Sequence, residues 1–182
     1  DSGRDLVKAL VYTAGYKYLN ANSRLKISSA LADIFESFTT DVNPFFCGDL
    51  NATLEYKGKV AVEPTNANPH YKLGMVYSDQ KNYPLAESSF RQAIKINAND
   101  SSYHTELGNV YVNQKRFPEA IVAFKEALRI SPTSANAQLG YGNAFYNDNK
   151  WAESIPFYKR AGELSPTWAT AFVYLADAYY KT

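Results

Sequence analysis

One pattern recurs three times between Ala67 and Trp168, at a spacing of 34 residues, and it constrains the fold more than any other feature of the chain. Leu73, Leu107, Tyr141 and Leu175 are each 34 apart, as are Gly74, Gly108, Gly142 and Ala176, and Tyr77, Tyr111, Phe145 and Tyr179. Further along each unit come Ala86, Ala120 and Ser154, then Phe90, Phe124 and Tyr158, then Ala93, Ala127 and Ala161. Each unit closes on Ala98, Pro132 or Pro166. Constant spacing without gaps across all these columns marks a repeat array rather than chance similarity.

Each unit reads as two helices joined by a tight turn. In the first, Leu107, Gly108 and Tyr111 share a face, and the small Gly108 lets a neighbouring helix come close. In the second, Ala120, Phe124 and Ala127 form a stripe, a large ring between two small residues. Pro84 and Pro118 stand where the second helix begins, a place where a missing N–H costs nothing. Pro132 and Pro166 follow it and stop it. A single hairpin cannot bury both faces, so the units must stack into an all-α solenoid.

These columns, clearest from Ser101 to Ser134 in Leu107, Gly108, Tyr111, Ala120, Phe124, Ala127 and Pro132, resemble the tetratricopeptide repeat family. The resemblance covers 67–182: three repeats (67–100, 101–134, 135–168) and a final unpaired helix. A half-repeat helix over 49–66 extends it, with Ala52, Tyr56 and Pro64 in register, although Lys59 stands in a column otherwise held by Ala. Upstream, Thr39, Thr40 and Asn43 replace the first-helix signature, so 1–48 is expected to be a helical N-terminal cap region. The resemblance implies a right-handed superhelix of helix pairs whose usual work is binding other proteins, and no enzyme.

Net charge is +1 over 182 residues, so no large positive field favours nucleic acid. No apolar run approaches the roughly 20 residues that span a bilayer, so no transmembrane segment is expected. Cys47 is the single cysteine and excludes an internal disulfide. It has no base or cation near it in sequence to make the thiol reactive. The 15 Tyr and abundant Asn make the chain polar without charge. That composition leans toward an exported or extracytoplasmic protein, with a cytoplasmic one kept open. The first residue, Asp1, fits a processed or trimmed product.

Along the chain, 4–20 and 23–38 read as helices that cap the solenoid or serve as a docking element; the cap is favoured because terminal units are atypical. Thr39 to Gly48 reads as a loop, with Asn43-Pro44 against helix and Gly48 allowing a turn, and Asp49 as the next N-cap. The repeat helices are expected at Pro69–Gln80, Pro84–Ile96, Ser101–Gln114, Pro118–Ile130, Asn136–Asn147 and Trp151–Leu164, the last distorted by Pro156, followed by Thr167–Lys181. In that final helix Phe172, Leu175, Ala176 and Tyr179 are expected to pack back on the third repeat. That leaves Val173, Tyr174 and Tyr180 as a candidate assembly end.

No group of titratable residues converges on a catalytic arrangement, and no cofactor or metal is expected. His70 and His104 share a column about 10 Å apart on stacked helices, which suits seam packing better than a metal. Gly140-Tyr141-Gly142 is helical by register and so is no phosphate loop. In the resembled family the first helices line a concave groove. The matching columns here hold Met75, Asn109, Asn143 and Asp177, with Asp79, Asn113, Asn147 and Lys181 four residues on and Tyr71 and Tyr146 beside them. An Asn amide both donates to and accepts from a peptide backbone, so this track suits an extended protein or peptide partner. The competing reading of Asn109 and Asn143 is helix packing. Some family members grip chaperone carboxyl termini with a Lys/Arg clamp; the corresponding columns hold Tyr71, Met75, Asn136 and Gly140, which disfavours that substrate class. Asn51-Ala52-Thr53 and Asn99-Asp100-Ser101 are candidate glycosylation triplets if the chain is exported. The leading expectation is a non-enzymatic interaction module or scaffold. The alternatives are a subunit that assembles end to end with other copies of itself into a filament, and an accessory subunit of an envelope complex.

Overall fold

The structure, a computed structural model, describes residues 44–182, with side chains from residue 52 onward. The helices expected at 4–20 and 23–38, and the capping role given to them, lie outside the described residues. Residues 1–62 and 63–182 form separate compact units.

From the first unit, α1 (Pro44–Val62) is described. It begins five residues before the expected N-cap, so Phe45 to Gly48 are helical rather than looped and Asp49 lies inside the helix. Proline at the first helical position has its φ already set and gives up an N–H that would be unpaired there, while one internal glycine costs only about 1 kcal/mol. Lys59 pairs with Glu55 one turn earlier, and Thr53 is buried.

The second unit consists of seven helices: α2 (Ala67–Asp79), α3 (Tyr83–Ile96), α4 (Ser101–Asn113), α5 (Phe117–Ile130), α6 (Ala135–Asn147), α7 (Trp151–Leu164) and α8 (Ala169–Lys181). They are an all-α solenoid. α2 packs on α3, α4 on α5 and α6 on α7 as hairpins, each hairpin packs on the next, and α8 packs on α7. Each expected boundary is met within two residues. α7 runs unbroken through Pro156.

The 34-residue period also repeats the helix ends. Asn66, Asp100 and Ser134 cap α2, α4 and α6, accepting from the amides of Asn68 (3.0 Å), Ser102 (2.9 Å) and Ala137 (3.3 Å). These bonds satisfy amides that a helix start otherwise leaves unpaired. α2 and α4 end through Lys81 and Lys115, and α6 through Asn149, all in the left-handed region with φ of 57°, 60° and 60°. The amides of Asn82, Arg116 and Lys150 then bond back to the carbonyls of Tyr77, Tyr111 and Phe145 (2.8, 2.8 and 3.0 Å), reversing the chain in a Schellman turn.

Packing follows the glycine and ring columns. A Cβ at Gly74 would lie 2.7 Å from the Phe90 ring, at Gly108 2.8 Å from Phe124, and at Gly142 2.7 Å from Tyr158. Phe124 also presses on Gly140 of the next repeat, so its ring is held between two bare backbones and is fully buried.

Candidate partner-binding groove

The first helices of successive repeats touch one another, α2 on α4 and α4 on α6, more closely than the second helices do. The stack therefore curves with α2, α4 and α6 on its inner side. Two chemical classes share that side.

The inner column is half-buried and engaged within the protein. Asn109 Nδ2 donates to Glu106 (3.2 Å), and Asn109 Oδ1 would lie 3.2 Å from a Cβ on Gly140. Asn143 Oδ1 accepts from the Tyr158 hydroxyl (2.9 Å), and Tyr146 donates its hydroxyl to Asp177. That carboxylate and partial burial hold the Tyr146 phenol above its ordinary value, while burial first of all pushes the Tyr158 phenol well up. Met75 is half-buried. Tyr71, also half-buried, packs its ring on Tyr103 (4.9 Å between centroids) and Phe90 (5.9 Å). Burial raises its phenol pKa, with Glu106 and Asp100 adding to the shift.

One turn on, Asp79, Asn113 and Asn147 are exposed. They form the accessible row, with Lys181 near the Trp151 ring (5.8 Å) at the α8 end. The bonds from Tyr158 to Asn143 and from Asn109 to Glu106 have no counterpart in the sequence reading. The one available signal was the hydroxyl that Tyr158 carries where the first two full repeats have Phe90 and Phe124.

The final helix meets the expectation in part. Phe172 lays its ring over Gly162 of the third repeat, where a Cβ would lie 3.0 Å from it, and Leu175 is half-buried, but Ala176 and Tyr179 are exposed, while Ala171 and Ala178 are fully buried and Tyr174 stacks on Tyr158 at 5.5 Å. The Leu, Gly and Tyr columns pack on the second helix of their own repeat, and α8 has no such partner among the described residues. Its buried face is instead the one that Ala137, Gly140 and Ala144 use in α6. Val173 is 63 % and Tyr180 89 % exposed, while Tyr174 is held against the third repeat.

His70 and His104 each place Nε2 on a carbonyl at the preceding turn, Pro64 O (3.3 Å) and Ala98 O (3.2 Å), as seam residues do. Asn99 is exposed in the turn between α3 and α4, whereas Asn51 lies within α1. No helix among the described residues is long and apolar enough to cross a membrane.

Two family models match the chain, one described as a tetratricopeptide repeat over residues 67–100 and the other as a TPR repeat over 108–149. No curated protein matches it by sequence. Among solved structures, the Arabidopsis OM64 TPR domain is 20% identical, covering 63% of this chain and 94% of its own, with a TM-score of 0.61. MamA is 21% identical, covering 69% and 73%, with a TM-score of 0.64. The first TPR of Spaghetti (RPAP3), solved bound to the HSP90 peptide SRMEEVD, is 21% identical, covering 63% and 91%, with a TM-score of 0.62. At these identities the likeness to the solved structures is one of fold. With a family model on each stretch and this fold around them, residues 67–100 and 108–149 are tetratricopeptide repeats.

Proposed function

We propose that this chain is a non-enzymatic protein-interaction module that holds an extended segment of a partner protein along the inner side of the solenoid. The observation that carries the reading is the exposed row of Asp79, Asn113 and Asn147 standing on a half-buried layer whose side chains are already fixed by one another. Such a layer is pre-organised, so binding must order only the partner segment. The exposed amides each offer donors and an acceptor to a peptide backbone. A structural neighbour solved with an HSP90 peptide makes a peptide ligand a reasonable class for the fold. The columns of a basic clamp hold Tyr71, Met75, Asn136 and Gly140 here, so the preferred peptide is one without a terminal carboxylate as its anchor.

Selection of a displayed random-peptide library on the full chain tests this. Peptides recovered should lose about tenfold or more in affinity, about 1.4 kcal/mol, to the exposed-site variant Asn113→Arg/Asn147→Arg, with unchanged helicity and Tm. Recovered peptides that bind this variant as well as the parent would remove the inner row as the site.

A further inference from the structure

The outer side of the first two repeats carries a second surface. α3 and α5 are the second helices of neighbouring repeats, and between them, floored by α4, lies an open furrow of about 890 Å³. Ile94, Leu107, Val122 and Ala123 give it an apolar lining. Val122 is 68 % exposed, and its column holds Ser88 and Pro156 in the other repeats, so the repeat itself does not require an apolar residue there.

Most of the charge at this furrow is already matched. Arg91 bonds to Glu87 and to the Tyr111 hydroxyl, Arg129 to Glu126, and Glu119 to Arg116. Lys95 on the α3 side and Lys125 on the α5 side are exposed and have no such partner among the described residues. The result is an apolar trough flanked by two unmatched cations, and burying apolar surface there leaves both ammonium groups at the edge for a ligand's charge.

We propose that this furrow is a second docking site, separate from the inner row, for an acidic amphipathic helix of a partner protein. Apolar side chains spaced three and four residues apart would lie on Ile94, Leu107, Val122 and Ala123. Carboxylates flanking that stripe would meet Lys95 and Lys125. The furrow therefore selects partners by the sign of their flanking charge, whereas the inner row, which carries no unmatched cation pair, does not.

The test uses the full chain and a labelled synthetic helical peptide with Leu along one stripe and Glu on both flanks, read by fluorescence polarisation. The same peptide with Lys in place of Glu is the control. The acidic peptide should bind saturably and at least about tenfold more tightly than the basic one, with the difference shrinking as salt is raised. Lys95→Glu/Lys125→Glu should reverse the preference, and Val122→Asp should weaken binding of the acidic peptide, while Asn113→Arg/Asn147→Arg leaves it unchanged. All these positions are exposed, so circular dichroism should report an intact fold. Absent binding, equal affinity for both peptides, or loss only in the inner-row variant would each overturn the proposal. So would a dimer in light scattering that Lys95→Glu/Lys125→Glu disperses, because the occupant would then be a second copy of the chain.

Discussion

At Gly108 the repeat depends on the absence of a single methyl group. A Cβ there would lie 2.8 Å from the Phe124 ring, and the ring cannot retreat because Gly140 of the next repeat closes its other side. Gly108→Ala gains about 1 kcal/mol in helix propensity, but overpacking a buried ring costs about 1–3 kcal/mol. The variant should therefore unfold at lower denaturant concentration than the parent; a midpoint that rises would show that Phe124 has room to move. Gly58 makes a natural control, since nothing lies within 4 Å of a Cβ added there. The same crowding explains why a sequence column of small residues faces a column of rings.

Among the elements, the turn that reverses each hairpin carries a built-in penalty. Lys81, Lys115 and Asn149 take up the left-handed conformation, which costs a residue with a Cβ roughly 1–2 kcal/mol unless, like Asn, it bonds locally. Lys115 is exposed, so replacing it removes no packing. Lys115→Gly should stabilise the protein by about 0.5–1 kcal/mol, after the added backbone entropy of glycine in the unfolded chain is set against the relieved strain. Equilibrium urea unfolding measures this directly, and a loss of stability would mean that the lysine makes a compensating contact. α8 teaches a second lesson at this scale. Its sequence repeats the Leu, Gly/Ala and Tyr columns, but those columns are fully covered only where a second helix packs on them, so here Ala176 and Tyr179 are exposed while Ala171 and Ala178 are buried against α7.

For the molecule as a whole, repeats act as neighbours in a row, and their coupling resides in the contacts between them. One such contact is polar. Glu87 of α3 accepts from Arg91 (3.0 Å), from the Tyr111 hydroxyl of α4 (3.0 Å) and from Arg116 beyond it (2.8 Å), and the Arg116 guanidinium lies 4.4 Å above the Tyr111 ring. Burial alone would raise the Glu87 pKa, but the bonds from Tyr111, Arg91 and Arg116 outweigh it and hold the carboxyl below its ordinary value. A carboxyl depressed in the folded state stabilises the protein above its unfolded pKa, and that stability is lost as pH falls through the folded pKa. Glu87→Gln should cost about 1–2 kcal/mol at neutral pH and progressively less in acid. Unfolding free energies of parent and variant, measured from neutral pH into the acid range, should therefore converge. Parallel curves would place the acid sensitivity elsewhere.

By itself the sequence determined the helical solenoid, the number of helix pairs in 67–182 and nearly every helix end, because a period of 34 fixes each column's role and the prolines mark the boundaries. It misplaced the start of α1, since Asn43-Pro44 reads as a break where Pro44 instead opens the helix. The tertiary structure alone decided which polar side chains remain free. Asn109 and Asn143 carry the same chemistry as Asn113 and Asn147, but Glu106, Gly140 and Tyr158 come against the first two from other turns and other helices. The furrow between α3 and α5 was likewise illegible, because an open space between two helices depends on how closely they approach, which no residue spacing along the chain records.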